Sequence, residues 1–118
     1  MKKTTLFLLL LCFTNGFGQM KIESYEKSNC TVNGDEIQCL RSPVKTIFSI
    51  DIIQNRILQE DDSQKTFFTI DSKTIQDHEI IIYTVHTATG ERLNITVSDV
   101  SIRIQSLVYK EQYTVFDL

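Results

Sequence analysis

The chain has 118 residues, with 12 Lys or Arg, 15 Asp or Glu, three Cys, one Pro and a formal net charge of −3. This length allows a single domain. The mildly acidic balance excludes the basic footprint that nucleic acid or an anionic membrane surface requires, so we expect neither as a partner. The hydrophobic share of 42% is typical of a globular chain and excludes a disordered one.

Residues 1–18 have the three parts of a secretory signal peptide. Lys2 and Lys3 give a basic start, residues 6–13 form an apolar run, and Gly16 and Gly18 precede a cleavage site at Gln19. The apolar run is about half the roughly 20 residues needed to span a bilayer. We therefore expect a secreted or periplasmic protein with no transmembrane segment in its mature chain.

The same segment permits a second interpretation, a lipid-anchored protein acylated at Cys12. Cleavage of that kind normally requires a small residue before the cysteine, and Leu11 is not small. The Gly18-Gln19 ending resembles the signal peptides of small secreted Bacteroidota proteins, a resemblance that is confined to the signal and implies no activity. Cleavage there leaves residues 19–118 as one domain with 10 basic and 15 acidic residues and two cysteines.

The composition of residues 19–118 predicts an all-β fold. Ile, Val, Thr, Tyr and Phe together make up 40 of these 100 residues, and Ala88 is the only alanine. β-Branched side chains lose rotamer freedom in a helix and fit a pleated surface better. Many windows alternate with period two and none keeps a helical stripe. We expect an antiparallel meander of about eight short strands, rolled into a curled sheet, small barrel or sandwich.

The clearest predicted hairpin covers residues 80–98. A loop of three residues, 88–90, places Gly90 where a positive φ is needed. A loop of two residues would instead set His86 against Leu93 and reverse the faces. The preferred register gives the apolar pairs Val85–Leu93, Tyr83–Ile95 and Ile81–Val97.

Further strands are expected with less regular alternation. A turn at Gln54-Asn55 joins the strands at residues 44–53 and 56–59, and the last strand follows a turn at Lys110-Glu111. The predicted strands are residues 21–25, 44–53, 56–59, 65–71, 100–105 and 113–118.

Cys30 and Cys39 flank a short hairpin and predict a structural disulfide. Two cysteines in an oxidising compartment usually pair. A four-residue loop, residues 33–36, sets the cysteines directly opposite each other, whereas a tight Asn33-Gly34 turn leaves them offset. A redox pair usually has Cys-x-x-Cys spacing and a zinc site needs more ligands, so those uses and unpaired thiols are secondary interpretations.

Candidate chemistry is sparse, and we expect neither enzymatic activity nor a cofactor. Glu60, Asp61 and Asp62 form an acidic loop that could contact a partner or, as a weaker interpretation, Ca²⁺. His78 and His86 are expected to be surface residues. No Gly-x-Ser-x-Gly elbow or glycine-rich phosphate loop occurs, while a carboxylate pair for glycoside hydrolysis stays open because only the fold can decide it.

Three functions compete on this basis. The first is an exported, non-enzymatic β-domain with a binding or structural role in the envelope or outside the cell. The second is an inhibitor or immunity-type protein that blocks a secreted hydrolase through the acidic loop. The third is a calycin-like carrier of a small apolar ligand. The expected partner is accordingly an unknown protein or a small apolar molecule.

Overall fold

The computed structural model describes residues 19–77 and 79–118, so the predicted signal peptide with Cys12, and also His78, lie outside the described residues. The described chain is all-β, which confirms the predicted fold class. It forms ten strands where about eight were expected. Their bounds are β1 (Gln19–Ser24), β2 (Glu26–Asn33), β3 (Glu36–Ser42), β4 (Thr46–Asp51), β5 (Arg56–Glu60), β6 (Lys65–Asp77), β7 (Ile80–His86), β8 (Arg92–Val97), β9 (Ser101–Ser106) and β10 (Gln112–Asp117).

All ten strands belong to one antiparallel sheet in the order β1-β4-β5-β6-β7-β8-β9-β10-β2-β3. The middle of this order is the predicted meander, since β4 to β10 follow one another in chain order. Within residues 19–77 and 79–118, no helix is long and apolar enough to cross a membrane.

The sheet curls because β1 and β2 lie far apart in strand order but are separated in the chain by Tyr25 alone. The hydroxyl of Ser24 lies 3.0 Å from the carbonyl oxygen of Glu26 and donates a 2.7 Å hydrogen bond to that of Asp117. The Ser24 hydroxyl at the end of β1 therefore holds the β1–β2 connection against the end of β10.

The concave face of the curl carries the apolar core. In β7 and β8 every second residue is buried, and the residues between them are half-buried or, at Arg92, exposed, as period-two side-chain direction requires. The rings of Phe48 on β4 and Phe116 on β10 meet edge to face across the curl, with centroids 4.9 Å apart. The buried cluster comprises Met20, Ile22, Phe48, Ile50, Ile57, Phe68, Ile81, Tyr83, Val85, Leu93, Ile95, Val97, Ile102 and Phe116.

The β7–β8 hairpin has the predicted register. Val85 pairs with Leu93, Tyr83 with Ile95 and Ile81 with Val97. The amide of Thr87 bonds the carbonyl of Glu91 at 2.9 Å, which closes the predicted three-residue loop. Gly90 has a φ of 91° there, a conformation that a residue with a Cβ atom rarely adopts.

The cysteine hairpin has the predicted pairing with a shorter loop. Cys30 lies opposite Cys39 and Val32 opposite Ile37. Asn33 and Glu36 also pair, so Gly34 and Asp35 alone form the loop instead of the expected four residues. The φ of 66° at Gly34 allows this tighter closure.

β6 is longer than predicted, because it continues from Asp71 to Asp77. Its pairing with β7 shifts register between Ile70 and Ser72 and again between Ile75 and Asp77. Each shift breaks the alternation of side chains between the two faces. That break explains why the alternating pattern ends at Asp71 although the strand goes on.

Candidate functional site

A recess of about 440 Å³ opens at the end of the curl where β2, β8, β9 and β10 meet. Most of its lining side chains are uncharged and polar. Leu93, Ile104 and Cys30 add apolar surface, and among the described residues Glu91 is the only carboxylate in the lining. The polar and aromatic lining residues are Asn29, Thr31, Ser106, Gln112, Thr114, Tyr109 and Tyr113.

The pairing of β10 with β2 brings these side chains together. Thr114 lies opposite Asn29 in that pair, and Gln112 lies opposite Thr31. On its other edge β10 pairs with β9, which sets Thr114 opposite Ile104. Side chains directly opposite in neighbouring strands share a face, so β2 and β10 present polar groups to the recess and β9 adds the apolar side chain of Ile104.

One hydrogen bond orders the recess wall. The hydroxyl of Thr114 donates to Oδ1 of Asn29 at 3.1 Å. This bond leaves the amide hydrogens of Asn29 unused as donors, and the Thr114 oxygen keeps acceptor capacity. Neutral donors and acceptors stand side by side in this arrangement.

Two tyrosines line the recess and differ in how exposed their rings are. Tyr109 is 63% exposed in the β9–β10 turn. Tyr113 is half-buried, and the guanidinium carbon of Arg103 lies 4.0 Å from its ring centroid. Arg103 covers one face of Tyr113 through a cation–π contact. Tyr109 is therefore the ring with a face open to a ligand.

The disulfide lies directly behind this site. Cys30 and Cys39 are bonded, and their Cα atoms are 4.1 Å apart. Cys30 on β2 is buried and contributes to the recess lining, whereas the residues of β3, Cys39 included, are mostly exposed. The bond fixes β3 to the strand that carries Asn29 and Thr31.

The acidic loop lies in the β5–β6 turn, and none of its residues lines the recess. The Asp61 carboxylate accepts hydrogen bonds from the Ser63 amide and hydroxyl, at 2.9 Å each, and from the Gln64 amide at 3.0 Å. These bonds, with a contribution from the charge of Lys27, hold the pKa of Asp61 below its ordinary value. Glu60 lies 3.8 Å from the ammonium of Lys65.

The acidic loop thus uses part of its charge to order its own turn. Asp62 is exposed in the same turn. A small cleft of about 180 Å³ lies beside the loop and is also lined by Lys45 and Ile47. Among the residues that the structure describes, no group of three or more His, Cys, Asp or Glu could hold a metal ion.

His86 lies on the convex side of β7 and bonds the carboxylate of Asp71. Its Nδ1 is 2.8 Å and 3.0 Å from the two oxygens. His86 also pairs with Arg92 in the predicted register. The contact belongs to the outer surface and lies away from the recess.

Comparison with family models, with curated proteins and with solved structures finds no match for this chain. Of the predicted site residues that the structure describes (Cys30, Cys39, Glu60, Asp61 and Asp62), Cys30 alone lines the recess. The polar residues of the recess carry no local sequence signal, because they come together only through the pairing of β10 with β2.

Proposed function

We propose that this protein is an exported, non-enzymatic binding domain and that its ligand occupies the recess at the end of β2, β8, β9 and β10. The observation that carries the proposal is the mixed lining of a concave site of about 440 Å³. Ligand sites are concave and use a few placed polar groups to fix orientation. The signal-like residues 1–18 and the Cys30–Cys39 disulfide support export.

The chemistry of the lining favours a polar, uncharged ligand. Asn29, Gln112 and Thr114 offer neutral donors and acceptors, and Tyr109 offers an exposed ring. A short saccharide matches these groups because it presents hydroxyls beside an apolar ring face. An apolar carrier receives less support, since apolar lining is limited to a few residues. The inhibitor alternative also receives less support, since Asp61 is engaged within its own turn.

Titration with short neutral saccharides tests the proposal. Protein produced from the full-length sequence is titrated by isothermal calorimetry. We expect saturable binding, and we expect Thr114→Val to weaken it at least about fivefold, because a lost hydrogen bond contributes on the order of 1 kcal/mol. The substitution keeps the side-chain volume while it removes the hydroxyl that orders Asn29.

Thr84→Val is the matched control. Thr84 also donates to an asparagine on the neighbouring strand, Asn94, at 3.1 Å, but neither residue lines the recess. We expect this variant to bind like the natural protein. Equal losses in both variants, or no saturable binding by any neutral saccharide, would contradict the proposal.

A further inference from the structure

Strand β3 forms one edge of the sheet, and its outer side is open. It is the last strand in the sheet order, and among the residues that the structure describes β2 is the only strand that pairs with it. The pairing runs over the whole length of β3 without a register shift. Proteins usually protect such a regular edge with a bulge, a lysine or a proline, so its outer side is suited to pairing with a further strand.

The outer side of β3 presents backbone groups at every second residue. The Cα atoms of the two bonded cysteines are 4.1 Å apart, the close spacing of an antiparallel pair that exchanges no backbone hydrogen bonds. In the same way, the amide of Val32 points away from β3 and donates to the carbonyl oxygen of Glu111 at 2.7 Å. The N–H and C=O groups of Ile37, Cys39 and Arg41 therefore point away from β2, towards the open edge.

The same strand exposes two large apolar side chains. Ile37 is 61% exposed and Leu40 is 77% exposed. They lie on opposite faces of the strand, because side chains alternate with period two. An open edge that combines outward backbone groups with exposed apolar side chains is a template for pairing with another strand.

Charges at the two ends of the β2–β3 hairpin indicate which strand fits. On one face, Glu36 lies beside the turn and pairs with Asn33, while Lys27 lies at the far end and pairs with Ser42. Asn33 and Lys27 are about 20 Å apart along β2 at roughly 3.3 Å per residue, so Lys27 and Glu36 cannot meet within one chain. Lys27 is within electrostatic range of Asp61, but within the part of the chain that the structure describes neither Lys27 nor Glu36 forms a salt bridge.

We propose that two copies of this chain associate by antiparallel pairing of β3 with β3, with the two-fold axis at Cys39. This register sets Ile37 opposite Arg41 of the second copy and Cys39 opposite its own counterpart, so that every outward N–H and C=O of the strand has a partner. Any other symmetric register sets Ile37 or Arg41 against a residue outside the strand. The proposal does not depend on the ligand of the recess, since no residue of β3 lines it.

The side chains are complementary in this register. Glu36 lies opposite Ser42 of the second copy, and Ser42 pairs with Lys27 on the other side, so opposite charges share a row at both ends of the interface. Near the axis the two Leu40 side chains are diagonal neighbours and cover part of each other's apolar surface. The pattern is thus self-complementary, which is the property that a two-fold interface between identical chains requires.

Analytical ultracentrifugation of the disulfide-bonded protein, produced from the full-length sequence, tests the dimer from micromolar to millimolar concentration. We expect a reversible monomer–dimer equilibrium. Leu40→Lys should weaken it at least about tenfold, because it sets two like charges beside the axis. Ile75→Lys is the matched control, since Ile75 is 63% exposed on β6 inside the sheet order, and it should dimerise like the natural protein. A monomer at every concentration, or equal losses in both variants, would overturn the proposal.

Charge reversal tests the contact between the copies. Glu36→Lys and Lys27→Glu should each weaken the dimer by about threefold, as expected for an exposed ion pair. The double variant should regain the affinity of the natural protein, because it restores opposite charges across the interface. Since the two residues cannot meet within one chain, such a recovery reports on the second copy. Losses that add in the double variant would refute the register.

Amide hydrogen exchange tests the backbone pairing. Raising the protein concentration through the dimerisation range should slow exchange at Ile37, Cys39 and Arg41, whose N–H groups point to the open edge. Exchange at Gln38 and Leu40 should change little, because their amides already bond to β2. Protection that grows equally at all five residues, or at none of them, would contradict the pairing of β3 with β3.

Discussion

β7 and β3 are similar in length and both contain β-branched residues, yet they are stabilised differently. β7 buries Ile81, Tyr83 and Val85 against the core. β3 leaves Ile37 61% and Leu40 77% exposed and is fixed to β2 by the disulfide. Strand pairing alone does not bury side chains, because a second surface must cover one face of the sheet. In β3, where no such surface covers the side chains, the Cys30–Cys39 disulfide holds the strand to β2.

Phe48→Ala should have the largest effect, because it opens the centre of the buried region. Phe48 is fully buried and contacts Phe116. We expect a loss of about 3–5 kcal/mol in the free energy of unfolding, measured by urea denaturation. Phe67→Ala is the control, since Phe67 is 50% exposed and should cost about 1 kcal/mol or less. Equal costs would remove the contrast between buried and exposed aromatic residues.

Replacing both Cys30 and Cys39 by alanine tests whether β3 depends on its disulfide for stability. The bond closes a short loop, with a sequence separation of 9, and in the chain-entropy model it contributes about 2–3 kcal/mol. We expect amide hydrogen exchange to accelerate most in β2 and β3 and least in β7 and β8. Uniform acceleration over the whole sheet would mean that the hairpin is no more dependent on its disulfide than the core is.

Arg103→Gln probes the outer contact of β10, next to the hairpin. It removes the cation–π contact with Tyr113, which contributes about 0.5–1 kcal/mol at an exposed position. We expect a small fall in the urea midpoint. Arg92→Gln is the control because Arg92 is likewise an exposed arginine on a neighbouring strand. If both variants fall equally, the effect comes from net charge and not from the ring contact.

The smallest expected effect is a pH dependence at Asp61. Its pKa is lower in the folded protein than the ordinary value of 3.8. The ionised group therefore stabilises the fold above that value, and the contribution is lost as the pH falls through the lower folded pKa. The difference in urea midpoint between the natural protein and Asp61→Asn should shrink below about pH 4.

Ser63→Ala sharpens this last prediction, since it removes the hydroxyl that donates to Asp61 and leaves the two backbone donors. We expect the urea midpoint of Ser63→Ala to depend on pH less than that of the natural protein and more than that of Asp61→Asn. If the midpoints of Ser63→Ala and the natural protein differ by the same amount from pH 5 to pH 3, the Ser63 hydroxyl stabilises the turn independently of the charge of Asp61.

The β7–β8 hairpin could be predicted residue by residue because a face of apolar side chains and one glycine determined its register. The β2–β3 pairing followed from two cysteines. β6 beyond Asp71 could not be predicted, since its residues are exposed on both faces and bear no alternation. The recess could not be predicted either, because Asn29 and Thr114 lie 85 residues apart and no local pattern records that pairing.

The 85-residue separation between Asn29 and Thr114 also determines the order in which the strands can pair during folding. Synthesis proceeds from the N-terminus, so β2 leaves the ribosome long before β10, the strand with which it pairs. β2 and β3 pair locally and can be joined by Cys30 and Cys39 before then. The pairing of β2 with β10 closes a long loop, which has a large entropy cost. The β2–β3 hairpin, already joined by its disulfide, gives β10 an ordered edge on which to finish folding.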